Sequence, residues 1–505
     1  MQIARCLLAA LAHHRVDALQ WEALAQQLQQ RGTRLFTLWA AAGEDGGQSL
    51  YALWLDGGAL TLAQHDLPAG VTHYPGLHTL FPAADRLQRA LRDMNGLQAL
   101  GMDARPWLRH TAWPARQHPL RDAHLDVPAC GQIEADAYAY VPVDGEGVHE
   151  VPVGPVHAGV IEPGQFRFAV VGEKILRLEA RLGFTHKGVE KRFEGLPVAE
   201  GVRLAARLCG DSAVANAWAY CMAAEALAAV DVPPRALHLR ALLLERERLA
   251  NHLGDIGAIA NDAGFGFALA QFSRLKEDLL RLNATVFGAR YPFDAVQPGG
   301  VAVDVHEDAG AMLRNQHGIL RSEVQRLKAI LDEHEGLQDR LRTTGRVRPD
   351  LAAQLGLLGL AARASGQALD LRTWPGFAPY DALGVDLATH EDGDVAARVA
   401  VRFAEVFAAL QLADRLLDTL PGGAVRAAWP DRVAPGLALG LVEGWRGPQG
   451  IALHAGADGR IARCHPHDPS WQNWPAIEWA VIGDIVADFP LINKSFNLSY
   501  SGHDL

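Results

Sequence analysis

Residues 16–32, VDALQWEALAQQLQQRG, carry apolar side chains at helical intervals, and Gly32 follows as a C-cap, so the pattern predicts a helix. Two apolar runs come next, LYALWL at 50–55 and ALTLAQHDL at 59–67. Asp56-Gly57-Gly58 separates them, and together they predict a β-hairpin. DRLQRALRDM, stopped by Asn95-Gly96, predicts a helix over 83–95. Ahead of these, MQIARCLLAALAHHR holds only LLAALA before His13, His14 and Arg15. That stretch is too short and too poorly flanked for a secretory signal and reads as a first helix. Residues 1–121 therefore read as a small α+β unit.

Residues 122–150 have no clear period and set Pro128, Gly131, Pro142, Gly145 and Gly147 among acidic residues, which marks a linker. The texture changes from 151 onward. A β-like segment at 166–183 turns at Gly172-Glu173. Helical spacing then dominates over 194–230, 233–261, 268–288, 307–341, 350–367 and 393–420. A second hairpin is expected over 451–464 around Asp458-Gly459, and a last helix over 473–492, ended by Pro490. Residues 151–505 thus read as a mainly α-helical domain with small β-ribbons at each end.

Composition narrows the partners. The 505 residues suffice for two or three domains with sizeable cores. A balance of 47 basic against 58 acidic residues gives −11, which argues against a nucleic-acid partner. No uninterrupted apolar run reaches the ~20 residues that span a bilayer. The five cysteines are scattered, without close CxxC spacing, as in a reducing compartment.

The chemistry concentrates in Arg207-Leu208-Cys209-Gly210-Asp211-Ser212-Ala213-Val214-Ala215-Asn216, which keeps the frame RxCGxCxxxH with Ser212 at the second Cys position and Asn216 at the His. Two CxxC pairs converging from distant parts of a chain would make a soft thiolate set for nickel, iron or zinc, and a serine hydroxyl is a poor substitute. Taken alone, Cys209 reads as a buried cysteine on a small-residue helix. The tail supplies a counterpart. Ser495-Phe496-Asn497-Leu498-Ser499-Tyr500-Ser501-Gly502 has the register of a terminal DPCxxC, with Asn497 at the Asp and Ser499 and Gly502 at the two Cys positions.

On these two frames the chain resembles the large subunit of membrane-bound, complex-I-related NiFe-hydrogenases, and equally the homologous quinone-site subunit of complex I. Further matching segments run in family order. They are Gly154-Pro155-Val156-His157 with Glu162-Pro163-Gly164-Gln165-Phe166-Arg167, then Gly183 to Lys191, Arg248-Leu249-Ala250-Asn251-His252-Leu253 and Pro298-Gly299-Gly300-Val301. Arg363-Ala364-Ser365-Gly366, Asp370, Arg372, Gly393-Asp394, Arg398 and Trp445-Arg446-Gly447 continue the series. Arg86-Leu87, Asp93-Met94-Asn95-Gly96 and His118-Pro119-Leu120-Arg121 are similar to the small partner subunit of complex I, here fused at the N-terminus.

The resemblance implies an α+β domain at 1–121 of the same type as that small partner subunit. It is fused to a mainly α-helical domain at 151–505 of the hydrogenase-large-subunit or quinone-site-subunit type. The resemblance also implies electron transfer coupled to proton or ion translocation, a small iron–sulfur subunit that holds the clusters, and antiporter-like integral membrane subunits. It places the chain peripherally on the cytoplasmic side of the inner membrane. Family nickel is held by four cysteines, of which Cys209 alone remains. No metal is therefore expected on this chain, and the candidate ligand is quinone or another small acceptor. The chain also stops at Leu505, without the extension that maturing hydrogenases usually carry.

Glu162, His157 and Arg446 take the catalytic places, with Arg446 expected to line the cavity opposite Asp211, Ser212, Asn497 or Ser499. Glu162 is expected as a partly buried, proton-passing carboxylate or as a loop cap. His157 and His186 are expected as proton relays, headgroup contacts or structural histidines. Cys209, Ser212, Ser499 and His186 mark the cofactor-binding side. The quinone-site tyrosine of complex I falls at Gly210. Cys464-His465-Pro466-His467-Asp468 has a metal-like composition and is expected as a cavity loop. A non-catalytic scaffold and a working hydrogenase remain the alternatives.

Overall fold

The computed structural model describes residues 11–43, 46–56, 59–110, 113, 116–122, 138–158, 161–374 and 376–505. Its N-terminal unit is a four-stranded sheet in the order Leu11–Arg15, Ala59–Leu67, Gln48–Asp56, Arg34–Ala42. The expected hairpin is present, with Gln48–Asp56 and Ala59–Leu67 antiparallel and Leu53 opposite Leu62. Gly57 and Gly58 lie outside the described residues.

The expected first helix is corrected for 11–15. Leu11–Arg15 runs as an edge strand parallel to Ala59–Leu67, with Leu11 opposite Leu60. Pairing with an open sheet edge overrides the local preference of a short apolar stretch. The rest of that segment, 1–10, lies outside the described residues.

Helix Ala18–Gln30 starts at Asp17, whose carboxylate accepts from Gln20 N–H while the Gln20 side chain accepts from Asp17 N–H, a capping box. Helix Ala84–Asn95 ends on Gly96 at φ +72°, as the Asn-Gly signal predicts. Part of the expected linker, 123–137, lies outside the described residues. The strand Val148–Val153 follows and pairs with Gln165–Val171, which pairs in turn with Lys174–Arg181.

The larger part is built on the helices Ala213–Ala228, Pro234–Asp262, Gly266–Phe287, Glu307–Glu333 and Val395–Asp418. Four expected helices are broken, one of them, 194–230, between Gly201–Ala205 and Ala213–Ala228. The 307–341 stretch breaks at His334, whose Nδ1 accepts from Leu337 N–H and starts Glu335–Leu341. The 350–367 stretch divides into Pro349–Leu355 and Gly359–Arg363 at Gly356. The 473–492 stretch divides into Ser470–Ala480 and Phe489–Phe496, so Pro490 opens a helix instead of ending one.

The C-terminal ribbon has three strands, Gly436–Glu443, Pro448–Ala455 and Ile461–His467. The segment 464–468, expected as a cavity loop, belongs mostly to the last of these. No group of three His, Cys, Asp or Glu side chains suited to a metal ion occurs among the described residues.

The two parts share their cores. Leu35, Leu38 and Ala40 face one apolar cluster, while Phe36, Trp39 and Ala41 face another that includes Ile451 and Leu453. The Trp39 ring stacks between Tyr51 and His465, at 5.1 and 5.6 Å between centroids, and its Nε1 donates to His454 Nε2 at 3.1 Å. Gln472 Nε2 donates to Phe36 O at 2.5 Å, and Arg463 Nε to Ala40 O at 3.0 Å. The N-terminal sheet is therefore bound to the C-terminal ribbon through buried imidazoles and backbone carbonyls.

Candidate active site

A break in the chain makes the site. The stretch 194–230, expected as one helix, forms Gly201–Ala205 and Ala213–Ala228, and the turn between them carries Cys209, Gly210 and Asp211. The new helix begins without a side-chain cap from Ser212. Instead Glu247, on the long helix, accepts from Val214 N–H at 2.7 Å and Ala215 N–H at 3.2 Å.

Arg446 enters from the turn between Gly436–Glu443 and Pro448–Ala455. That turn sits so close to Gly359 that a β-carbon at 359 would lie 2.0 Å from Arg446 O. Asn497 caps Phe489–Phe496 in the left-handed region at φ +44° and turns its carbonyl toward the arginine.

Arg446 is 2% exposed. Its Nη2 donates to Asp211 Oδ2 at 2.8 Å, Nη1 to Asp211 Oδ1 and to Ser212 Oγ at 3.3 Å each, and Nε to Asn497 O at 2.7 Å. Asp468 Oδ2 lies 3.9 Å from Nη1, and the guanidinium rests 4.2 Å above the Trp445 ring. Asp211 is itself oriented by two donors to its carbonyl, Trp445 Nε1 and Asn251 Nδ2.

Burial alone would raise the Asp211 carboxyl. The guanidinium and the bonds from Cys209 and Ser212 outweigh it and hold Asp211 below the usual carboxylate range. Burial also acts against the Arg446 charge, but Asp211 and Asp468 outweigh it, so Arg446 stays protonated.

Cys209 Sγ donates to Asp211 Oδ1 at 2.9 Å and lies 3.0 Å from Ser499 Oγ. Burial, and then the neighbouring Asp211 charge, push its thiol well above the ordinary range. Ser499 Oγ accepts from Gly502 N–H at 2.8 Å. A β-carbon on Gly502 would sit 2.8 Å from both Ser499 Oγ and Asp468 Oδ2, so this wall has closed over the place a larger residue would need.

These groups floor a cavity of about 370 Å³. Val153, Phe166, Phe489 and Leu498 supply apolar walls, and Asp262, Lys494 and Tyr500 supply polar ones. The cavity gathers His157, Glu162, Cys209, Arg446 and Ser499, five of the seven residues expected at the site. His157 is half-buried, with Nε2 2.7 Å from Gly164 O.

Glu162 is exposed instead of partly buried, because its loop lies on the surface, and it accepts from Ser501 N–H at 3.3 Å. Ser212 stands behind the wall, donating to Asp211 Oδ1 at 3.0 Å. His186 is absent from the cavity lining. Its Nδ1 lies 2.8 Å from Asp504 O and its ring stacks on Trp113, so it holds the tail.

Asp262, Lys494 and Tyr500 were missed. Tyr500, one residue beyond Ser499, is the one with a signal nearby, and burial pushes its phenol up to about 12.

Residues 262–435 match the family of the respiratory-chain NADH dehydrogenase 49-kDa subunit. Formate hydrogenlyase subunit 5 of Escherichia coli (strain K12) is 32% identical over 448 residues, covering 87% of this chain and 78% of that protein. The carbon monoxide-induced hydrogenase of Rhodospirillum rubrum is 30% identical over 353 residues, 69% of this chain and 97% of that protein. A solved chain of the membrane-bound sulfane sulfur reductase, an archaeal respiratory membrane complex, superposes with a TM-score of 0.68. It is 26% identical and covers 72% of this chain and all of its own length.

Fold, cavity and relatives together define a large subunit of the complex-I-related hydrogenase class. The chain belongs to the family of formate hydrogenlyase subunit 5 and the NADH dehydrogenase 49-kDa subunit. Its role is that of an oxidoreductase subunit within a complex.

Proposed function

We propose that this chain is the large subunit of a membrane-attached complex in which the former nickel–iron cavity receives electrons into a small organic acceptor, a quinone or a molecule of similar size. The observation that carries this reading is the closed arrangement of Arg446 with Asp211, Ser212 and Asp468 over a pocket with one thiol. The donor set does not fit a nickel–iron centre. Cys209 is its single sulfur, Ser212 and Ser499 are occupied by their neighbours, and Gly502 offers no ligand atom.

The residues present suit a neutral, polar headgroup. Apolar walls bury its ring, while Asn493, Tyr500 and the Asp211–Arg446 pair offer donors and acceptors. Reducing a quinone takes two electrons and two protons. In this reading the electrons come from the clusters of a small iron–sulfur subunit docked beside the cavity. The protons enter past exposed Glu162 and half-buried His157 at the mouth.

No helix among the described residues is long and apolar enough to cross a membrane. The reading assigns membrane attachment and ion translocation to antiporter-like partner subunits, with this chain on the cytoplasmic side.

Val153→Trp puts a bulky ring into the cavity from its strand wall, at a residue outside the Arg446 hydrogen-bond network. Acceptor reduction by the purified complex is expected to fall at least about tenfold, with the complex still assembled. Unchanged turnover with the cavity filled would instead support a scaffold that keeps only the old interface.

A further inference from the structure

Beneath the turn that carries Arg446, four carboxylates and three guanidiniums are buried together: Glu245, Asp370, Glu405 and Glu443 with Arg248, Arg363 and Arg372, none more than 3% exposed. With His252 neutral the cluster carries one excess negative charge. An unpaired charge in a low-dielectric interior is costly, so a bound proton is the cheaper state.

The contacts say which group takes it. Glu405 receives Arg363 Nε and Arg248 Nη1 and faces His252 Nε2 at 2.9 Å. Asp370 is gripped by Arg372 through Nε and Nη2. Glu245 receives Arg248, Arg372 and the Tyr380 hydroxyl.

Glu443 has one guanidinium nitrogen, Arg363 Nη1 at 2.8 Å, and one backbone donor, Leu371 N–H at 3.1 Å. The same Nη1 lies 3.5 Å from Asp370 Oδ2, so Glu443 shares even that contact. His252 is the other candidate, but its Nδ1 has no hydrogen-bond partner among the described residues, and an imidazolium would bury an unpaired N–H there. Arg402, one turn before Glu405, is taken by Asp255 and offers Glu443 no relief.

We infer that this cluster is a proton-binding site, with Glu443 the group that holds the exchangeable proton. Burial, and then the charge of Asp370, move Glu443 up to about 7, which agrees with the contact pattern. The site reaches the cavity through the backbone. Arg248 Nη2 donates to Glu443 O at 2.8 Å and Nη1 to Gly444 O at 3.2 Å, fixing the chain just before Trp445 and Arg446. A proton gained or lost at Glu443 therefore changes the charge balance that fixes the Arg446 turn. Only this coupling to the cavity rests on the electron-accepting reading of the pocket; the proton site itself does not.

An infrared pH titration of the purified complex tests it. A protonated-carboxyl C=O component is expected to disappear as pH rises through neutrality, to shift in heavy water, and to be lost from the titrating signal in Glu443→Gln, an isosteric change that keeps an acceptor for Arg363. Glu247, which burial also raises, to about 8, contributes a band of its own that remains in Glu443→Gln, so a titrating carboxyl spectrum unchanged in amplitude in that variant overturns the assignment. If that variant does not assemble, the wild type decides jointly with His252→Gln. The absence of any titrating carboxyl band in the wild type, or loss of the titrating proton in His252→Gln, also overturns it. A titrating band in a complex whose cavity variants leave acceptor reduction unchanged would retain the proton site and discard the pocket's redox role. Normal acceptor chemistry without the band would do the reverse.

Discussion

Arg446→Ala is expected to remove acceptor reduction and to destabilise the chain by about 3–5 kcal/mol, the scale for deleting one partner of a buried ion pair. The loss would come less from the missing contacts than from what remains. Asp468 is 3% exposed and Asp211 keeps a side chain only 34% exposed, so two carboxylates would face each other across the vacated space. Against a total stability of roughly 5–15 kcal/mol, that change is large.

Two further variants separate electrostatics from packing. Arg446→Lys keeps the charge but cannot span Asp211, Ser212 and Asn497 O at once, so it should fold and still lose most activity. Adding Asp211→Asn to Arg446→Ala should recover part of the lost stability and none of the activity. Thermal unfolding of the wild type, Arg446→Ala, Asp211→Asn and the double variant, read as a double-mutant cycle, measures the coupling.

The second large effect is acid release of the N-terminal sheet from the C-terminal ribbon. Burial pushes His454 and His467 down to about 3, with Arg463 assisting at His454 and His465 at both, and His465 is itself lowered by burial. An unfolded histidine titrates near 6.5. Between these values the unfolded chain binds more protons than the folded one, so stability is full above about pH 6.5 and falls as the pH drops.

Two such histidines remove about 2.7 kcal/mol per pH unit, so about 1.5 units cost roughly 4 kcal/mol. Glu190, lowered to about 2 by Arg463 and His465 against the opposing effect of burial, adds to the loss only below about pH 4.5. Trp39 lies in this interface and reports it. Its fluorescence should change cooperatively near pH 5, and His454→Gln should move that midpoint to lower pH.

How much of this was readable follows from what each residue faces. The hairpin at 48–67 was legible from its Asp-Gly-Gly turn, and the helices at 84–95, 234–262 and 395–418 from their length and helical spacing, although most of their residues are buried on more than one side. Strands Arg34–Ala42 and Gly436–Glu443 are packed on both faces, so RLFTLWAAA and GLALGLVE show no alternation to read.

The interruption at 206–212 depends on Glu247, more than thirty residues away, taking the amides that start the next helix. Cys209, Arg446 and Ser499 line one cavity because they lie in motif frames that meet in space. His186 lies in an equally good frame, yet its geometry is spent on the tail. Asp262 and Lys494 become cavity residues only through how two helix ends are docked, which no local pattern encodes.

Nickel and iron quantified in the intact purified complex, alongside its dihydrogen-dependent activity, test the central claim most directly. The account predicts no nickel, iron only at the level of the partner's clusters, and no dihydrogen turnover. One nickel per chain together with dihydrogen-dependent activity would contradict it.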